Sequence, residues 1–331
     1  MKNKKQAVFS GIQPSGNLHI GNYLGAITQW LDMQEQYHCI FCIVDYHAIT
    51  VKQEPEVLKE KIKEITKIYL ASGIDPARSV IFKQSDISAH TELAWILNCT
   101  SARISDLDKM TQFKDKAQKQ GREKAGVGLY DYPVLMASDI LLYNTDIVPV
   151  GEDQVQHVEL TRTLARRFNK KFKETFKVPS IKIKEASARI MALDEPEKKM
   201  SKSATSDLNY IALTDTPEAA AKKIMKAVTD TGGDVKYDRK NKPGISNLLG
   251  IYSSLTDKTI KQLEKNYKGK GYGEFKKDLA EVVKDFLGGF QKKYTNISDK
   301  DVEKVLAQGR KKVEPVAKET LERVKKRVGV S

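Results

Sequence analysis

With 331 residues, 40% hydrophobic and 30% charged, the chain is long enough for two domain-sized units and has the composition of a globular rather than a disordered protein. No apolar run is long enough to cross a bilayer as a helix. The basic start Met1-Lys2-Asn3-Lys4-Lys5 leads only into Ala7-Val8-Phe9, too short for a signal-peptide core, so a cytoplasmic protein is expected. The 57 Lys and Arg against 43 Asp and Glu give a net charge of +14, which suits polyanionic partners without naming one.

Short apolar runs at 7–10, 39–44, 80–83 and 147–150 read as strands. They alternate with longer amphipathic stretches, the pattern of a parallel sheet wrapped by helices. The first run enters Gly11-Ile12-Gln13-Pro14-Ser15-Gly16, after which His19-Ile20-Gly21-Asn22 opens an amphipathic helix. Such a turn offers backbone N–H groups and a helix N-terminus to a triphosphate, and its glycines allow close approach. Cys39 and Cys42 read C-x-x-C inside the second strand. No further Cys or His pair completes a zinc site, so they are expected in the core and, with Cys99, as free thiols. Residues 55–71 place Val57, Leu58, Ile62, Ile65, Ile68 and Tyr69 near helical spacing, with Gly73 as the C-cap. From about Asp207 the texture changes to amphipathic helices between glycine-rich turns. Residues 206–331 hold roughly 27 Lys and Arg against 18 Asp and Glu, so most of the positive surplus lies in this half. The stretch 301–328 reads either as an amphipathic helix packed on a neighbour or as a solvated basic face with a frayed end.

Two segments carry most of the chemistry. Lys199-Met200-Ser201-Lys202-Ser203 places two ammonium groups on one short loop. Gly151-Glu152-Asp153-Gln154-Val155-Gln156-His157 follows the fourth strand, where ligands of doubly wound sheets bind. A ligand-binding loop is one reading of it; the alternative is a turn capping a helix at Glu159. Asp139 lies among apolar neighbours in Tyr132-Pro133-Val134-Leu135-Met136-Ala137-Ser138-Asp139-Ile140, where a carboxylate needs a donor. Either a ligand N–H or a basic side chain of the protein meets that need. His47 alone reads more readily as a structural histidine than as a ligand-binding one.

The His19-to-Asn22 and Lys199-to-Ser203 segments resemble the HIGH and KMSKS signatures of class I aminoacyl-tRNA synthetases. Asn22 stands where the signature has a second histidine. The 151–154 segment, the Tyr132-to-Asp139 strip and Ala188-Arg189-Ile190-Met191 resemble the tryptophanyl branch of that class, although Val134 replaces the second proline of the family strip. The resemblance implies an α/β fold: a Rossmann-type doubly wound parallel sheet over residues 1–205 as catalytic domain, and a mostly helical domain over 206–331 that reads the tRNA anticodon. The C-terminal helix is free to pack back on the sheet. It implies activation of L-tryptophan with ATP and Mg2+, transfer to the 3'-terminal adenosine of the cognate tRNA, a homodimer, no membrane and no tightly held protein-ligated metal.

Carried onto this chain, the resemblance makes Lys199, Lys202 and Lys116 catalytic, the last from Met110-Thr111-Gln112-Phe113-Lys114-Asp115-Lys116. It assigns ATP to Gln13, Pro14, Ser15, His19, Gly21, Asn22, Gly151, Glu152, Asp153, Gln154 and Ile190, and to Lys199, Met200, Ser201, Lys202 and Ser203. It assigns tryptophan to Phe9, Gly11, His47, Tyr132, Met136, Asp139, Ile140 and Gln154. Asp139 would accept from the indole N–H beside an apolar wall of Met136 and Phe9. The lysines would stabilise departing pyrophosphate by electrostatics. A tyrosyl enzyme, a small-molecule adenylyltransferase and a non-catalytic RNA-binding paralogue are the alternatives. The Asp139 strip argues against the first, the basic helical half against the second, and the intact lysines against the third.

Overall fold

The computed structural model describes residues 5–16, 18–111, 125–183, 190–200 and 206–331. Five parallel strands, β1 (Ala7–Ile12), β2 (His38–Ile43), β3 (Val80–Lys83), β4 (Ile147–Val150) and β5 (Ser180–Ile183), form one sheet in the order β3-β2-β1-β4-β5. The order reverses direction between β1 and β4, so a crevice opens beyond their C-terminal ends. The sheet agrees with the doubly wound expectation. β5 was not anticipated. Of its four residues only Ile181 and Ile183 are apolar, and as an edge strand pairing with β4 alone it stays largely exposed, so it lacks the apolar run that marks a central strand.

Alternation along the strands divides the core in two. Val8, Cys39, Phe41, Ile43 and Ile81 belong to one buried cluster, and Phe9, Ile40, Cys42, Val44, Val80 and Phe82 to the other. Cys39 and Cys42 therefore project from opposite faces of β2 and cannot share a metal ion. All three cysteines are free thiols. Burial pushes the Cys39 thiol up to about 11 and Cys42 well above its ordinary value, which makes both poor nucleophiles.

On the first face lie α1 (Ile20–Asn22), a π-helical turn over Tyr23–Ile27, α2 (Thr28–Gln36) and, beyond the short α3 (Asp45–Ala48), α4 (Pro55–Ser72). Pro55 sits in the first turn of α4, and Gly73 ends it with φ +102°, a left-handed conformation that favours glycine. The opposite face is covered by α5 (Ala89–Thr100), α6 (Ile104–Leu107), α7 (Val127–Leu141) and α8 (Val155–Phe172).

Beyond residue 206 come α9 (Pro217–Lys226), α10 (Pro243–Leu255), α11 (Ile260–Asn266), α12 (Tyr272–Thr295) and α13 (Asp299–Val328). Leu248, Phe275 and Leu287 of these helices join the same buried cluster as Val8 and Ile68, and Phe286 packs its ring 4.9 Å from that of Tyr23. The last helix, α13, crosses to the other face, where Val313, Ala317, Leu321 and Val324 pack with Phe82, Leu93 and Leu97. It comes so close to β3 that a Cβ on Gly309 would lie 1.8 Å from the Ile81 carbonyl oxygen. The edge of the sheet at β3 is thus covered by a helix.

Candidate functional site

A cavity of about 700 Å³ opens at the C-terminal ends of β1 and β4, the switch point of the sheet. Phe9, Gly11, Val44, His47, Tyr132, Met136, Asp139 and Ile140 line it together with Gln13, Ser15, His19, Asn22, Lys199 and Met200, and Gly151 and Gln154 enter from beyond β4. Glycine at position 11 has a local cause: a Cβ there would fall 3.1 Å from Cγ1 of Val44 on the neighbouring chain segment.

The turn after β1 is held by the Ser15 N–H donating to the Gln13 carbonyl at 2.8 Å, and Gly16 has φ +62°. The His19 N–H then donates to Oδ1 of Asn22 at 3.0 Å, so asparagine in the last position of the motif fastens its own helix start. Gly21 does not line the cavity but leaves room for a neighbour: a Cβ on it would meet Nδ1 of His19 at 3.0 Å and Cβ of Ile190 at 3.4 Å. Pairing from the distant chain completes the anchorage, with the Ile20 N–H donating to the Ile211 carbonyl at 2.9 Å and the Leu213 N–H to the Leu18 carbonyl at 3.0 Å.

Asp139 is 1% exposed and is held more completely than expected. Its Oδ2 lies 2.7 Å from Nε2 of His47, and its Oδ1 accepts from Nε2 of Gln84 at 2.7 Å and pairs with Nδ1 of His90 at 2.6 Å. His90 continues to the Tyr143 hydroxyl at 2.7 Å, and the Tyr143 ring stacks on Phe9 at 5.8 Å. Burial works to raise the Asp139 carboxyl, but the charges and hydrogen bonds of His47 and His90 hold it well below the usual carboxylate range. The carboxylate therefore does not depend on a ligand for its donors. What favours a recognition role is its place in the cavity wall, with one acceptor direction remaining on Oδ2. Tyr132, whose hydroxyl lies 2.7 Å from Nε2 of His157, is pushed up to about 12 by burial. Gln84, His90 and His157 were not singled out as site residues. Each lies in another stretch of sequence, and no spacing rule relates them to Asp139 or Tyr132.

The segment after β4 forms a 3-10 turn over Glu152–Gln154, and α8 starts at Val155, so the helix begins four residues before Glu159. Glu152 and Asp153 are exposed and do not line the cavity; Asp153 accepts from Nε2 of Gln154 at 3.0 Å. Pro14 is buried beside the cavity residues Gln13 and Ser15. Ile190 is 4% exposed and packs against Gly21 rather than lining the cavity. Lys116, Ser201, Lys202 and Ser203 lie outside the described residues.

A family described as tRNA synthetases class I (W and Y) matches residues 1–288, and the chain belongs to it. Within that family it is 51% identical over 326 residues to the tryptophan–tRNA ligase of Oceanobacillus iheyensis, covering 98% of this chain and 99% of the relative. It is 50% identical over 325 residues to that of Bacillus anthracis, covering 98% of each. Among solved structures, a tryptophanyl-tRNA synthetase from Mycoplasma pneumoniae superposes with a TM-score of 0.89 at 36% identity, covering 99% of this chain and 98% of the other. The Campylobacter jejuni enzyme complexed with ADP and tryptophan does so with a TM-score of 0.86 at 36% identity, covering 98% and 100%.

Proposed function

We propose that this chain activates L-tryptophan with ATP and then loads it onto its cognate tRNA. The supporting observation is a single cavity whose lining combines the apolar side chains of Phe9, Met136 and Ile140 and the carboxylate of Asp139 with the polar Gln13, His19, Asn22 and Lys199. In the first step a carboxylate oxygen of tryptophan attacks the α-phosphorus, the bond to the β-phosphate breaks, and pyrophosphate departs with its charge. In the second, a ribose hydroxyl of the 3'-terminal adenosine attacks the acyl carbon and AMP leaves.

In this reading the indole lies between Phe9, Gly11, His47, Tyr132, Met136 and Ile140, its N–H on Asp139, with Gln154 at the boundary with the nucleotide. Gln13, Pro14, Ser15, His19, Gly21 and Asn22 shape the phosphate end, Gly151 to Gln154 meet the ribose, Met200 takes part in binding ATP, and Ile190, buried against Gly21, backs the nucleotide site from behind. Lys199 acts with Lys202 and Lys116 on the leaving pyrophosphate, and Ser201 and Ser203 are proposed as further contacts to ATP. Fixed cations suit this step because charge builds on the leaving oxygens in the transition state. Magnesium is proposed to arrive with the triphosphate, as the resemblance implies.

Residues 206–331 are proposed as the tRNA-reading half, supported by their excess of Lys and Arg. A homodimer is proposed from an exposed apolar set on three packed helices: Trp95 is 70%, Ile104 74% and Val127 80% exposed. No helix among the described residues is long and apolar enough to cross a membrane, and cytoplasmic action is proposed because tRNA is the second substrate. ATP–pyrophosphate exchange measured with each amino acid tests the whole reading. Tryptophan alone should support rapid exchange; exchange with tyrosine but not tryptophan, or with neither, would reject it.

A further inference from the structure

Residues 190–200 form a hairpin in which Met191 and Lys199 are partners in an antiparallel bridge. The hydrogen bonds flanking this pair run from the Ala192 N–H to the Lys198 carbonyl at 2.8 Å and from the Met200 N–H to the Ile190 carbonyl at 3.2 Å. Met191 and Lys199 are therefore a non-hydrogen-bonded pair, and both backbone polar groups of Met191 point out of the hairpin. Buried without partners, they would cost folding free energy. Asn247 on α10 takes both. Its Oδ1 accepts from the Met191 N–H at 2.8 Å, and its Nδ2 donates to the Met191 carbonyl at 2.8 Å.

The amide thus imitates a neighbouring strand for one residue. Asn247 is 7% exposed and does not line the main cavity, so it acts through the hairpin and not on the reacting atoms. Two residues further along the same edge, the Leu193 N–H donates to the Asn209 carbonyl at 3.0 Å, and the Leu193 carbonyl accepts from the Val228 N–H at 2.7 Å. The strand opposite Lys199 is fastened along its outer side to chain beyond residue 206; Asn247 clasps its backbone at Met191, and Nδ2 of Asn209 donates to Oδ1 of Asp194 at 2.7 Å where the strand ends.

We propose that Asn247 is a positioning residue for Lys199, tying the placement of the lysine hairpin at the cavity to helix α10. The inference rests on the reading of the cavity as a tryptophan-activating site. Lys199 is exposed and its position is set by the hairpin backbone, so a shift of Met191 passes directly across the bridge. A displaced cation costs most where charge develops, in the transition state, so loss of the clasp should lower kcat and spare the KM for tryptophan.

The experiment is a double-mutant cycle of Asn247→Ala and Lys199→Ala, read by tryptophan-dependent pyrophosphate exchange and by single-turnover transfer from preformed tryptophanyl-adenylate to tRNA. Asn247→Ala should lower the exchange kcat by roughly ten- to a hundredfold, change the KM for tryptophan by no more than about threefold, and leave the transfer step near wild type. In the Lys199→Ala background it should cause little further loss. Asn247→Asp guards against a folding defect. It fills the same space but turns an acceptor towards the Met191 carbonyl, so it should fall as far as alanine if the hydrogen bonds matter, and match wild type if Asn247 only fills volume. An unchanged kcat in Asn247→Ala, full recovery in Asn247→Asp, equal loss on both sides of the cycle, or equal loss in both steps would overturn the positioning role. Absence of tryptophan-dependent exchange in the wild-type enzyme would instead reject the functional reading, so the two failures are distinct.

Discussion

Asp139 holds two histidines and a glutamine around one buried carboxylate, and this arrangement decides what a change there does. Asp139→Asn keeps the volume but removes the charge that favours the surrounding donors and the indole N–H. Its effect on tryptophan should be about 1 to 3 kcal/mol, a KM rise of roughly 5- to 150-fold with the KM for ATP nearly unchanged; steady-state exchange kinetics measure both. An unchanged KM for tryptophan in the folded variant would remove Asp139 from the recognition role. The same residue sets a pH dependence. Its folded-state carboxyl is depressed, so its contribution to stability is fully present above the ordinary carboxylate value near ~3.9 and is lost as pH falls from there towards the folded value. Urea midpoints taken at steps below about pH 4 should decline more steeply for wild type than for Asp139→Asn. Parallel declines would mean that Asp139 is not the group responsible.

Among the elements, α13 approaches the sheet closely at Gly309, where an added Cβ would lie 1.8 Å from the Ile81 carbonyl oxygen. Gly309 lies in the middle of a 30-residue helix, a position where glycine normally costs about 1 kcal/mol relative to alanine. Here the sign reverses, because a methyl group would fall inside the Ile81 carbonyl oxygen. Gly309→Ala should destabilise by about 3 kcal/mol or more through forced separation of α13 from β3. Gly288 in α12 is the matched control: a Cβ there meets nothing within 4 Å, so Gly288→Ala should stabilise by roughly 0.5 to 1 kcal/mol. Thermal or urea unfolding of the pair checks this, and similar shifts for both would refute the close approach. Nothing around Gly309 in the sequence distinguishes it from Gly288, since the atom it must avoid is more than two hundred residues away in the chain.

For the whole molecule, the proposed division of labour predicts separable defects. Lys261, Lys265 and Lys268 are exposed around α11. If this face meets the tRNA backbone, changing the three to glutamine should weaken tRNA charging and lower the slope of log affinity against log salt by roughly one for each phosphate no longer neutralised. Pyrophosphate exchange should remain within about twofold of wild type, since surface charges distant from the cavity contribute little to it. Equal loss of exchange and charging would point to a coupling between the halves rather than to tRNA binding on this face. Such coupling has a physical route, because the helices beyond residue 206 share a buried cluster with the sheet and the chain connecting these elements, with Asn247 of α10, grips both the start of α1 and the lysine hairpin.

Sequence by itself determined what depends on near neighbours. Four of the five strands, the span of α4 and its glycine cap, and the glycine turn after β1 were legible because each is written in a short period or a contiguous string. The presence of Phe9, Met136 and Asp139 in one cavity was legible only through family resemblance. Tertiary structure alone decided the rest. The partners of Asp139 come from positions 92, 55 and 49 residues away, and the clasp on Met191 comes from 56 residues away. Sequence periodicity reports which face of an element is apolar, and it carries no information on which polar group of a distant element will meet a buried donor. That choice is made when the layers pack and every backbone N–H and carbonyl left inside must find a partner.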